Sequence, residues 1–179
     1  MSIETCFILL DSTPFMRNGD YHPTRIAAQQ DAARALLSSK LNARVENTVG
    51  MATMHGKGTS LLVSATNNQP KLVSALHNLQ PSHGGGGDVV NALQTAYLAL
   101  KYRKTTGGTM RIVLFLGSPI TGAEAPVLKK LGETLKKGSV RVAANPPFPP
   151  PLPPSCCPPH PPPPPSCPLP PPPFPRRSP

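Results

Sequence analysis

Ile3-Glu4-Thr5-Cys6-Phe7-Ile8-Leu9-Leu10-Asp11, running into Ser12-Thr13-Pro14-Phe15-Met16-Arg17-Asn18-Gly19-Asp20-Tyr21-His22-Pro23-Thr24-Arg25, is the stretch that decides the fold. Its first part is nearly continuous in apolar character and carries four consecutive large hydrophobic residues, Phe7 to Leu10. Such a run predicts a strand covered on both faces, as in a parallel sheet. The run stops at an acid, Asp11. Pro14, Asn18 and Gly19 are turn formers, and the Ala-rich stretch that follows predicts a helix from about Thr24 to Ser39. The polar residues between strand and helix therefore sit at a strand's carboxyl end, where open α/β sheets bind ligands.

The rest of the chain repeats this rhythm. Two strands are expected at Thr48 to Met54 and Ser60 to Thr66. The Gly56-Lys57-Gly58 turn between them predicts antiparallel pairing at one side of the sheet. Pro70 opens a short helix bearing Leu72, Val73, Leu76 and Leu79, and Pro81 ends it. Asp88 begins a helix carrying Val90, Leu93, Tyr97 and Leu100. A further buried strand is expected at Arg111 to Leu116, a basic helix from about Ala123 to Lys137, and a last strand at Val140 to Ala144. Strands alternating with helices predict an α/β fold: a doubly wound, mostly parallel sheet with helices on both faces. No internal repeat is present.

Several blocks in this order carry a family resemblance. They are Met16-Arg17-Asn18-Gly19-Asp20 with Pro23-Thr24-Arg25, Glu46-Asn47-Thr48-Val49-Gly50, Leu76-His77-Asn78-Leu79-Gln80-Pro81, Ala96 to Arg103, and Met110 to Pro119. Together they resemble the von Willebrand factor A domain of the 26S proteasome regulatory subunit 10 family, the non-ATPase subunit 4 that serves as a polyubiquitin receptor. The resemblance implies a non-catalytic proteasome subunit of cytoplasm and nucleus, lodged between lid and base subunits of the regulatory particle. It makes Asp11, Met16, Arg17, Asn18, Gly19, Asp20 and Arg25 the candidate protein-docking residues.

Many von Willebrand A domains hold a divalent cation with an Asp-x-Ser-x-Ser loop, a Thr from a second loop and an Asp from a third. Here the first loop reads Asp11-Ser12-Thr13-Pro14-Phe15, so Phe15 stands where the second serine belongs. The second loop offers Asp88 after Gly84 to Gly87, and the third, Gly117-Ser118-Pro119, lacks the acid. Hard cations require several oxygen ligands in near-octahedral geometry. No metal and no cofactor are therefore expected, and Asp11 is read as a loop-ordering or docking residue.

Enzyme chemistry finds no constellation either. The Gly84 to Gly87 run is not followed by the Lys-Ser/Thr of a phosphate-binding loop, but by Asp88, which repels phosphate and suits a helix N-cap. His22, His55, His77 and His83 are scattered over different loops and helices, with no nucleophile and base in a local signature. Cys6 falls in the first strand and needs no redox role.

Charge is lopsided: residues 1–145 carry 16 Lys and Arg against 8 acids. That balance favours acidic partners. Nucleic acid is not expected among them, because Trp is absent and no basic run alternates with aromatic residues. No stretch reaches the roughly 20 apolar residues of a membrane span, and no membrane partner is expected. Lys129, Lys130, Lys136 and Lys137 recur in pairs along one side of the basic helix; a solvated face and a docking surface for acidic neighbours both fit them.

At Asn145-Pro146 the composition changes, and residues 146–179 hold 21 prolines among 34 residues. The expected organisation is a partial A domain over 1–145, incomplete at its C-terminal end, and a disordered proline-rich tail over 146–179. Such a tail suits SH3, WW or profilin-type grooves, with Pro173-Phe174-Pro175-Arg176-Arg177 as a charged anchor. Its Cys156, Cys157, His160 and Cys167 match no common zinc spacing. The family's ubiquitin-interacting motif, an acidic run before an Ala and a Ser, has its nearest echo in Ala35 and Ser39, without the acidic run, so ubiquitin binding in the family's manner is not expected. A proline-rich adaptor is the alternative to the proteasome subunit. A frame or splice change is one source of the composition switch.

Overall fold

A computed structural model of the chain describes residues 3–56, 58–83, 86–103, 107–120 and 125–144. The tail, Lys57 of the predicted turn, Gly84 and Gly85, and the expected start of the basic helix at Ala123 lie outside the described residues. Strand β1 (Glu4–Asp11) is the centre of a five-stranded sheet and is buried from Thr5 onward. It pairs in parallel with β2 (Thr48–His55) on one side and β4 (Thr109–Leu114) on the other. Beyond β2 lies antiparallel β3 (Gly58–Thr66), and beyond β4 lies parallel β5 (Val140–Ala144), giving the order β3-β2-β1-β4-β5.

Both faces of this sheet are covered, which is why β1 reads as an uninterrupted apolar run. One core joins Phe7, Leu9, Ile112 and Leu114 to helices α3 (Val89–Lys101) and α4 (Ala125–Lys137). The opposite core joins Cys6, Ile8, Leu10 and Val113 to α1 (Arg25–Ala43) and α2 (Gln69–His77). The doubly wound sheet expected from the sequence is thus present, with the antiparallel pair at its margin. Phe7 is accommodated by its register partner Gly50, where a Cβ would lie 2.5 and 2.7 Å from ring carbons.

Element ends follow local chemistry. Thr24 caps α1 by accepting the Ala27 N–H, Asn68 caps α2 through Lys71 N–H, and Asp88 caps α3 through Asn91 N–H at 2.9 Å. These contacts satisfy amides the first helical turn leaves unpaired. Helix α1 continues four residues past the expected Ser39. Asn47 holds its exit, donating to Lys40 O at 2.8 Å while its Oδ1 accepts the Glu4 N–H at 3.0 Å. Strand β4 starts and ends two residues before its expected limits. Its entry is anchored by Thr109 N–H donating to Ile3 O, and after Leu114 the Phe115 N–H still reaches the β1 backbone at Leu9 O.

Candidate functional site

The neighbours of β1 lead the chain in opposite directions across the sheet, so the carboxyl ends of β1 and β4 form its topological switch point, the usual ligand crevice of such folds. Asp11 ends β1 there and is fully buried. Its Oδ1 accepts the Thr13 N–H at 2.8 Å and its Oδ2 accepts the Gly117 N–H at 2.9 Å. One carboxylate therefore closes its own loop and ties it to the loop after β4. Charge-assisted bonds of this kind are stronger than neutral ones.

Arg25, at the first turn of α1 and only 3% exposed, completes the tie. Its Nη1 donates to Gly117 O at 2.9 Å, so both backbone groups of Gly117 are held by side chains from the β1–α1 segment. The other edge of the guanidinium grips Asp20: Nε donates to its two oxygens at 2.7 and 3.0 Å, and Nη2 donates at 2.5 Å. Asp20 is half-exposed, and the Arg25 hydrogen bonds hold its carboxyl below the usual carboxylate range. The same bonds push the Arg25 pKa upward. Met16 is buried beneath the short 3-10 turn Pro14–Arg17, with its sulfur against Gly117.

The candidate docking residues therefore divide into two layers. Asp11, Met16 and Arg25 are buried and shape the loop from below; Arg17, Gly19 and Asp20 face solvent, and Asn18 is half-buried. Phe15 and Tyr21 are exposed beside them at 41% and 40%. Arg17 reaches sideways to His83 Nδ1 at 3.2 Å, linking this loop to the one after α2. Two further residues, Gln29 and Ser12, were not singled out by sequence reasoning. Gln29 donates to Asp11 O and accepts the Asp11 N–H, at 3.0 and 3.1 Å, pinning the strand end to α1. Ser12 accepts the Ser82 N–H through its backbone oxygen at 2.6 Å, and its hydroxyl donates to Met54 O. The spacing Arg25, Gln29, Ala33, Leu37, four residues apart, was the available signal for Gln29, since it puts two polar residues on the buried stripe.

The loops that would hold a cation do converge. A Cβ on Gly87 would lie 3.1 Å from Ser118 Oγ and 3.4 Å from Thr13 Cγ2. A metal would have to compete with two backbone amides for the Asp11 oxygens, and Asp88 is engaged as the cap of α3. Among the described residues, no three His, Cys, Asp or Glu side chains are grouped to hold an ion, and no helix is long and apolar enough to cross a membrane. The site's chemistry is that of a tied loop presenting a mixed aromatic and charged surface.

A family model for the von Willebrand factor type A domain matches residues 6–119. The chain belongs to this family. The solved SpRpn10 VWA domain is similar to it, with a TM-score of 0.72 and 34% identity over 79% of this chain and 74% of that one. Among curated proteins, the 26S proteasome non-ATPase regulatory subunit 4 homolog of Arabidopsis thaliana is 41% identical over 78% of this chain and 36% of its own length. The counterpart in Oryza sativa is 39% identical over 78% of this chain and 34% of its own length. The A domain here thus spans about a third of these relatives. BatB from Bacteroides thetaiotaomicron, with a TM-score of 0.61 and 16% identity over 79% of this chain and 65% of that one, shares the fold.

Proposed function

We propose that this A domain serves as a non-catalytic subunit of the 26S proteasome regulatory particle, in cytoplasm and nucleus. It contributes there to ubiquitin-dependent protein degradation by docking between lid and base subunits. Similarity to the SpRpn10 VWA domain at 34% identity carries this reading. The docking surface is the loop from Phe15 to Tyr21, with Arg17, Gly19 and Asp20 in contact and Asp11, Met16 and Arg25 holding the loop's shape. Asn18 joins the two layers, since its carbonyl accepts the Arg25 N–H at 2.9 Å. The role is one of scaffolding and needs no cofactor. Within these 179 residues it also proceeds without a ubiquitin-interacting motif, because the Ala35 and Ser39 echo on α1 has no acidic run before it.

Affinity capture of the tagged chain tests the reading. Lid and base subunits are expected to co-purify, and to do so equally when residues 146–179 are deleted. Capture of SH3 or WW proteins alone, lost with that deletion, would favour the proline-rich adaptor instead.

A further inference from the structure

The cations of this chain are unevenly placed. Residues 1–100 hold 7 Lys and Arg against 6 acids, whereas residues 101–145 hold 9 against 2. On α1 every charged side chain is matched: Arg25 pairs with Asp20, Arg34 with Asp31, and Lys40 with Glu4. Helix α4 is built differently. Lys129, Lys130, Lys136 and Lys137 are all exposed, none of them is ion-paired among the described residues, and the only acid within the helix is the exposed Glu133. Glu133 lies one turn from each lysine, so a single negative charge is shared among four positive ones. The negative C-terminal end of the helix accounts for Lys136 and Lys137. Lys129 and Lys130 stand in its first half, where a cation gains nothing from the helix dipole.

Strands β4 and β5 are parallel and each follows its own helix, so α3 and α4 end at the same margin of the sheet, opposite the Phe15–Tyr21 loop. Tyr97 of α3 packs against Gly138, just past α4, where a Cβ would lie 2.9 Å from its ring. That contact places the exposed Lys101 and Tyr102 on the same flank as Lys136 and Lys137. Tyr102 is 77% exposed, and Leu98, one turn before it, is 50% exposed. The flank therefore offers unpaired lysines edged by apolar side chains.

We propose that the α3–α4 flank docks an acidic segment of a partner protein, with carboxylates set against Lys129, Lys130, Lys136 and Lys137 and apolar side chains against Leu98 and Tyr102. The two lysine pairs lie about 10 Å apart along the helix, a spacing met by carboxylates two turns apart on a facing helix. Nucleic acid is the poorer fit. Lysine lacks the fork with which arginine grips phosphate, and α4 has neither an arginine nor an aromatic residue on which bases could stack. The contact is separate from the Phe15–Tyr21 loop and stands independently of the role proposed for that loop.

The experiment is fluorescence anisotropy of the full chain with a labelled peptide rich in Glu and Leu. Parallel probes are the same peptide with Gln for Glu, the same with Ser for Leu, and an oligouridylate of equal charge. The Glu and Leu peptide is expected to bind, and both altered peptides to bind more weakly. Lys129→Glu with Lys130→Glu puts acids where the helix dipole tolerates them, so the circular dichroism spectrum should be unchanged while affinity falls about tenfold or more. Arg44→Glu with Lys71→Glu makes the same change of net charge at exposed residues on the α1–α2 side, and should weaken binding much less. Glu133→Gln should tighten it about threefold. No binding of the peptide, an equal loss in the two charge-reversed chains, equal binding of the Ser-substituted peptide, or tighter binding of the oligouridylate would each overturn the proposal.

Discussion

Asp11, which ends β1, and Gly117, in the loop after β4, lie 106 residues apart in sequence and are joined by a buried hydrogen bond of 2.9 Å from the Gly117 N–H to the Asp11 carboxylate. The same carboxylate accepts the Thr13 N–H. Replacing it leaves two buried amides without partners, each costing about 1–3 kcal/mol. Asp11→Ala should therefore lower stability by about 2–5 kcal/mol, read as a fall in the denaturant midpoint with an unchanged slope. A loss below about 0.5 kcal/mol would show that water replaces the carboxylate without penalty.

Gly117 has no room for a side chain, because a Cβ there would collide with the Met16 sulfur. Gly117→Ala should cost about 1–3 kcal/mol by overpacking. Shortening the neighbour should relieve it: in a double-mutant cycle, Gly117→Ala combined with Met16→Ala should be less destabilised than the sum of the single changes by at least 0.5 kcal/mol. Strict additivity would place the strain elsewhere.

The Asp20 carboxyl is held below its ordinary range by Arg25. A folded-state pKa below the unfolded one adds stability that is present above the unfolded value and lost as pH falls through the folded value. The loop should consequently stay tied at neutral pH and loosen only below about pH 4. Amide exchange from Asp20 to Arg25, followed against pH, should accelerate in that window, and Asp20→Asn should abolish the step. A transition nearer pH 6 would implicate a histidine instead.

Burial pushes the Cys6 thiol up to about 11. Only the thiolate reacts readily, so at pH 8 the folded chain should be alkylated at Cys6 at least a hundredfold more slowly than the denatured chain. Peptide mapping separates Cys6 from the three cysteines beyond residue 150. Equal rates in the two states would mean that β1 opens readily.

Reading from sequence succeeded where periodicity is set by burial. The β1 run, the antiparallel pair at the margin and β5 are legible because a two-sided core demands continuous apolar residues and Gly56 and Gly58 mark a turn. It was less exact where side chains far apart in sequence decide the outcome. On α1, Ile26 and Leu36 are half-buried while the polar Arg25 and Gln29 are buried, because their polar ends meet Gly117 and Asp11. The extension of α1 to Ala43 rests on Asn47, and the two-layer arrangement of the loop rests on Gly117; neither partner is adjacent in sequence.

Binding to purified proteasome regulatory particles tests the central claim most directly, provided that surface and support are separated. Arg17 is exposed and carries no buried tie, so Arg17→Glu should leave thermal unfolding within about 0.5 kcal/mol of the parent. The account predicts that the parent chain binds the particle, that Arg17→Glu binds at least tenfold more weakly, and that Asp11→Arg, which breaks the support, binds least. No binding by the folded parent, or equal binding by the parent, Arg17→Glu and Asp11→Arg, would contradict it.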